Sequence, residues 1–159
     1  MSEGADVCLT FEAACMAAID METRIFREYA RALRVVKDPA ARDILLEAGL
    51  AKLAHKYKLE MAALEGKLEG ALPSGPVSIM NLSVRCCDQH QIDAHADNRK
   101  ALAFAIQMDQ DALKFYRDMA RGCGAGAPMT NIFTTLGDEL TRHLQYLEDT
   151  FEEHFLPEG

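Results

Sequence analysis

The sequence has 159 residues, of which 49% are hydrophobic and 26% charged, and its formal net charge at pH 7 is −8. A chain of this length has room for one domain with a substantial core. The acidic balance argues against nucleic acid or a membrane surface as a partner, because phosphate groups attract an excess of Lys and Arg. The N-terminus lacks the segments of a secretory signal, and five cysteines without framework spacing favour a reducing compartment, so we expect a cytoplasmic protein.

Two long helices are predicted in the first half of the chain. Apolar residues recur three and four positions apart from about residue 10 to 36, with Thr10 as the candidate N-cap. The next helix is predicted over about 39–67, because "KDPA" places Asp38 at the cap and Pro39 at the first helical position.

The second half of the chain predicts a similar pair of helices, over about 97–121 and 131–155, separated by the glycine-rich "GCGAGAPMTN". The link within each pair is short, so each pair is expected to form an antiparallel hairpin. A long crossover, about 68–96, joins the two hairpins. These features predict a single all-α domain over 1–159, an antiparallel four-helix bundle with ferritin-like connectivity.

An internal repeat supports this organisation. The segment "AIDMETRIFREY" (18–29) aligns with "AIQMDQDALKFY" (105–116), and "GLAKLAHKYKLE" (49–60) aligns with "GDELTRHLQYLE" (137–148). The first helix therefore corresponds to the third and the second to the fourth, as in a duplicated hairpin with pseudo-twofold symmetry.

Each predicted helix places one metal-capable side chain within its apolar stripe. These side chains are Glu22, His55, Asp109 and His143, in chain order. A buried carboxylate without a partner is costly, so two carboxylates at matching positions of the repeat require an explanation.

This arrangement resembles the rubrerythrin branch of the ferritin-like proteins, and the resemblance covers most of the chain. In that family each hairpin contributes a glutamate from its first helix and a Glu-x-x-His motif from its second, and these groups bind two irons. The resemblance implies iron as the cofactor and oxidation chemistry with peroxide or oxygen, with electrons from a separate donor. We also expect a homodimer.

The sequence departs from the family pattern at the metal-binding positions. Lys52 and Leu140 stand where the two Glu-x-x-His motifs have glutamate, and Asp109 is a shorter substitute for glutamate. A rubredoxin-like Cys-x-x-Cys module is absent from the sequence. Two iron ions need roughly four carboxylates, so these changes weaken the expectation of a two-iron centre.

Two interpretations of the site remain open. In the first, Glu22, His55, Asp109 and His143 hold an ion of the iron, zinc or manganese kind, with Glu139 as an extra ligand or a partner of the ligands. In the second, the chain is a metal-free, non-catalytic scaffold or dimerisation module. Lys52 then supplies part of the metal's positive charge by pairing with Glu22 or Asp109. The sequence leaves open which interpretation holds, and with it whether the chain is an enzyme.

A second group of Cys and His residues lies in the crossover, in "RCCDQHQIDAH" (85–95). Cys86 and Cys87 are adjacent, whereas structural zinc sites separate their cysteines by two or more residues. A partly buried connection is therefore favoured over a zinc site in this segment.

Overall fold

The computed structural model describes residues 11–68, 92–122 and 128–155. These residues form four α-helices and no strand, and the helices are α1 (Phe11–Val35), α2 (Pro39–Leu68), α3 (Asn98–Gly122) and α4 (Pro128–Phe155). The all-α prediction is confirmed for this part of the chain. α4 begins three residues before its predicted start, at a proline, which is favourable at the first helical position. Thr10, Cys86 and Cys87 lie outside the described residues.

Aspartate side chains cap two of the helices. The Ala41 amide donates to Asp38 Oδ2 at 2.9 Å, at the start of α2. The Lys100 amide donates to Asp97 Oδ1 at 3.0 Å, at the start of α3. Each carboxylate satisfies a backbone N–H group that has no partner within the helix. The cap predicted at Asp38 is therefore confirmed.

α1 and α2 form an antiparallel hairpin with a close approach at Gly49. A Cβ atom added to Gly49 would lie 3.2 Å from Tyr29 Cβ, so the missing side chain lets the two backbones come together. One and a half turns further along α2, His55 lies beside Glu22. These two contacts show that α2 runs antiparallel to α1.

α3 and α4 repeat this pattern. Gly137 faces Tyr116, with 4.0 Å between the Cβ position of the glycine and Tyr116 Cβ. Further along α4, His143 meets Asp109. Both hairpins thus place a glycine against a tyrosine and a histidine against an acid, at corresponding positions of the sequence repeat.

Contacts between the hairpins define how they are joined. The rings of Tyr29 and Phe104 pack edge to face with centroids 5.2 Å apart, and Glu22 meets Tyr116 further back along α1. α1 and α3 are therefore antiparallel, and α2 and α3 run parallel. α3 consequently begins at the end of the bundle where α2 also begins.

The core between the helices contains many small side chains. Buried alanines line α1 and α3, and larger apolar side chains fill the space around them. Representative buried residues are Ala14, Ala18, Met21, Ile25, Leu45, Leu59, Ala105, Met108, Phe133 and Leu136. No helix in the described ranges is long and apolar enough to cross a membrane.

Candidate functional site

Three charged residues are buried in the described part of the bundle: Glu22 on α1, Lys52 on α2 and Asp109 on α3. Burial of a charge is costly unless an opposite charge or hydrogen bonds compensate it. The partners of these three residues therefore define the chemistry of the site.

Asp109 has both of its carboxylate oxygens occupied. Lys52 Nζ donates to Oδ1 at 2.9 Å, and neither of these two side chains is accessible to solvent. His143 Nδ1 lies 2.5 Å from Oδ2, and its side chain is 26% exposed. Burial alone raises the pKa of Asp109, but the Lys52 ammonium and the His143 imidazole outweigh it and hold the pKa below 3.8. Asp109 is therefore an anion at neutral pH.

Glu22 is surrounded differently. The Tyr116 hydroxyl donates to Glu22 Oε2, and His55 Nδ1 lies 3.3 Å from the same oxygen. Among the described residues, Glu22 Oε1 and His55 Nδ1 are buried without a hydrogen-bond partner. Burial, followed by the charge and hydrogen bond of Glu22, raises the pKa of Tyr116 well above 10, so the phenol remains protonated at neutral pH.

Glu139, which was predicted to support the site from α4, lies opposite α2. Lys58 Nζ donates to its two carboxylate oxygens at 2.6 and 2.9 Å. Its Oε1 atom is also 4.0 Å from His55 Nε2. His55 therefore stands between two carboxylates, with Glu22 on the core side and Glu139 nearer the surface.

The difference between the two halves originates at one position of the repeat. Lys52 and Leu140 both precede their histidine by three residues, and both are buried. Leu140 adds only apolar packing on α4, whereas Lys52 extends from the first hairpin to Asp109 in the second. One half of the site consequently contains a fixed positive charge.

A pair of metal ions does not fit these side chains. Both oxygens of Asp109 are engaged, and an ammonium group stands 2.9 Å from one of them, where it would repel a cation. No cluster of three or more His, Cys, Asp or Glu side chains within the described ranges is arranged around a common metal position.

A single ion is better accommodated beside Glu22. The atoms Glu22 Oε1 and His55 Nδ1 are a carboxylate oxygen and an imidazole nitrogen, both buried and both lacking a hydrogen bond within the described residues. These are donor types that zinc, iron and manganese accept. The remaining coordination positions would need water or another group, which predicts modest affinity.

The structure brings the four predicted axial residues together as two acid–histidine pairs, Glu22 with His55 and Asp109 with His143. The sequence left the partner of Lys52 open between the two acids, and the structure places it on Asp109. Sequence reasoning missed the hydrogen bond of Tyr116, which stands seven residues after Asp109 in the sequence.

The Lys58–Glu139 pair was also missed, since no sequence pattern relates two charges 81 residues apart.

Comparison of the chain with protein-family models, with curated proteins and with solved structures gave no match. The side chains described above therefore carry the functional argument.

Proposed function

We propose that this protein is a ferritin-like bundle of the rubrerythrin type that binds one divalent transition-metal ion, with iron as the candidate, beside Glu22 and His55. In this proposal Lys52 replaces the second metal's charge at Asp109. The observation that carries the proposal is that two buried donor atoms, Glu22 Oε1 and His55 Nδ1, lack a hydrogen bond within the described residues.

The ferritin-like part of the proposal is supported by the direction of the helices. Two antiparallel hairpins with α2 parallel to α3 have the connectivity expected of a ferritin-like bundle. The repeated placement of an acid against a histidine, Glu22 with His55 and Asp109 with His143, supports descent from a symmetric two-metal site.

The restriction to one ion is supported by charge. At Asp109 the Lys52 ammonium already neutralises the carboxylate, so a cation would gain little attraction there and would be repelled by Lys52. At Glu22 the neutral Tyr116 phenol supplies a hydrogen bond but no positive charge. A cation at Glu22 would therefore give this buried carboxyl group a positively charged partner that Tyr116 does not supply.

In such a site Glu22 and His55 would hold the ion, and Tyr116 would fix the orientation of the Glu22 carboxylate by donating to Oε2. A bound iron would supply one-electron chemistry toward peroxide or oxygen, with electrons delivered by a separate donor. Glu139 and Lys58 would hold the outer face of His55 in place.

The second candidate function is a metal-free scaffold or dimerisation module, and the buried Lys52–Asp109 pair favours it. In that case His55 and Tyr116 remain the partners of Glu22, and the bundle serves only to present its surface. The two candidates differ in a single measurable quantity, which is the number of metal ions bound per chain.

The test is metal analysis of the full chain, purified without chelator and then titrated anaerobically with Fe(II) and separately with Zn(II). The proposal predicts saturation near one ion per chain, loss of binding in Glu22→Gln and retention of binding in the matched double variant Lys52→Met/Asp109→Asn. Retention is expected because Asp109 takes no part in holding the ion, and the double variant leaves no uncompensated charge in the core.

Less than a tenth of an ion per chain at saturation would refute the one-ion proposal and support the scaffold. In that case Lys52→Glu should gain metal, because it removes the ammonium and restores a carboxylate three residues before His55. Two ions per wild-type chain would refute both candidates.

A further inference from the structure

The outer face of α2 carries an unusual row of exposed apolar side chains. Six of the nine large apolar side chains that are exposed in the described residues belong to this one helix. They are Leu46, Leu50, Leu53, Tyr57, Met61 and Leu64, and together we call them the α2 stripe. Tyr57 is 66% exposed and Leu50 is 54% exposed.

The α2 stripe is a continuous line on one side of the helix. At 100° per residue its six members fall within an arc of about 80°. The core side of α2, which includes Leu45, Lys52 and Leu59, lies on the opposite side. α2 is therefore apolar on two faces, and the helices of the described ranges pack against one of them.

The spacing along the stripe is that of a helix–helix seam. Steps of four, three and four residues lead from Leu46 to Tyr57, the alternation that keeps apolar side chains facing a second helix. Glu47 and Glu60 border the stripe on its two sides, as charged residues border the apolar centre of protein interfaces. We propose that the α2 stripe is a dimerisation surface whose partner is the α2 stripe of a second copy of this chain, packed antiparallel.

The available area matches a dimer. From the exposed fractions, the six side chains offer roughly 600 Å² of accessible surface per chain, at the upper end of the apolar patches that single-chain proteins expose. Two such surfaces, with the stems of the bordering residues, approach the ~1,200–2,000 Å² of specific interfaces.

The middle part of the α2 stripe, from Leu46 to Met61, is self-complementary about an axis near its centre. When two copies of α2 are laid antiparallel about a twofold axis between Leu53 and Ala54, Leu50 faces Tyr57 of the second copy. Leu46 then faces Met61, so four of the six stripe residues oppose each other in apolar pairs on both sides of the axis, while Leu53 faces Ala54 and Leu64 faces Asp43. A twofold interface requires this kind of matching, because both copies contribute the same patch.

The proposal is tested by sedimentation equilibrium of the full chain up to ~100 µM, where protomer concentration controls assembly. We expect a species of twice the chain mass of 17.6 kDa. Tyr57→Glu should weaken the dimer at least ~100-fold, because it places a charge in the apolar centre of both contacts. The matched control is Tyr146→Glu, which changes a tyrosine that is 59% exposed on α4 and should leave the dimer intact.

Circular dichroism of both variants should match the wild type, since each tyrosine contributes an exposed side chain. A wild-type chain that remains monomeric at every concentration would overturn the proposal and assign the stripe to another occupant, such as residues 69–91 of the same chain. A dimer that is equally stable in Tyr57→Glu and Tyr146→Glu would overturn it as well.

Disulfide cross-linking tests the antiparallel arrangement. Ala54→Cys lies next to the twofold axis and should link two chains under mild oxidation, as identified by mass spectrometry of the linked peptides. Leu64→Cys lies far from the axis in an antiparallel pair but opposite its own copy in a parallel pair. Efficient Leu64→Cys linkage with no Ala54→Cys linkage would overturn the antiparallel arrangement.

Discussion

Replacement of Lys52 by methionine should destabilise the bundle strongly, because it leaves the Asp109 carboxylate buried without its ammonium partner. The Nζ–Oδ1 distance is 2.9 Å and both side chains are inaccessible to solvent. Loss of one member of a buried ion pair costs about 3–5 kcal/mol. We expect a loss near the lower end, ~3 kcal/mol, because His143 remains in contact with the other carboxylate oxygen.

The cost of Lys52→Met should depend on pH. In the wild type the pKa of Asp109 is lowered, so its contribution to stability is complete above 3.8 and is lost as the pH falls through the folded-state pKa. Without Lys52, burial, the largest effect on this pKa, is opposed only by His143, so the pKa of Asp109 should rise from its wild-type value. The destabilisation is then largest at neutral pH and decreases as the carboxyl group is protonated in acid.

Urea denaturation followed by circular dichroism at ~pH 7 and ~pH 4.5 measures both effects. Leu140→Met is the matched control at the corresponding position of α4, and should cost under about 1.5 kcal/mol at either pH. The double variant Lys52→Met/Asp109→Asn should recover most of the lost stability, because it removes the uncompensated charge. A cost of Lys52→Met below ~1 kcal/mol, or one that does not change with pH, would refute the reasoning.

Two further predictions concern the hairpin contacts and the Glu22 half of the site. Gly137→Ala should stabilise the bundle by about 0.5–1 kcal/mol, because a Cβ atom there makes only ordinary contacts of 3.9–4.0 Å. Gly49→Ala should be less stable than Gly137→Ala by ~1 kcal/mol or more, because its Cβ atom would lie 3.2 Å from Tyr29 Cβ; equal denaturation midpoints would contradict this. In a spectrophotometric pH titration Tyr116 should ionise only well above pH 10 or on unfolding, because burial and Glu22 raise its pKa; a Tyr116→Phe variant that loses part of the absorbance change seen at or below ~pH 10 would contradict the assignment.

The sequence predicted the helices well because the spacing of the apolar residues and the residues that start and end helices indicate the same segments. Apolar residues recur at helical spacing, and the Asp38–Pro39 pair marks the start of α2 at the residue where the structure begins it. The start of α4 was missed by three residues, because "GCGAGAP" contains several residues that could end a turn and only the packed chain selects among them. Boundaries of this kind depend on tertiary context.

The internal repeat predicted one part of the site, which is the pairing of acids with histidines. The repeat identified Glu22 with His55 and Asp109 with His143 as equivalent pairs, and the structure shows each pair in contact. It could not show which acid receives Lys52, because the repeat is broken at this position and a long flexible side chain can reach either acid.

Contacts between the hairpins also could not be predicted from the sequence. The hydrogen bond from Tyr116 to Glu22 joins residues 94 positions apart, and the helical pattern within one segment does not indicate such a contact. The exposed stripe of α2 was hidden for a related reason. An apolar residue on a helix with two apolar faces has the same local pattern whether it faces the core or solvent, as Leu45 and Leu46 illustrate.

The central claim is that one half of the bundle retains a metal site while Lys52 replaces the metal in the other half. The most direct measurement is anomalous X-ray scattering at the iron edge from crystals grown anaerobically with Fe(II). The account predicts one peak per chain in contact with Glu22 and His55, and an intact Lys52–Asp109 pair. A peak between Asp109 and His143 with Lys52 displaced would contradict it, as would the absence of any peak in crystals soaked to saturation.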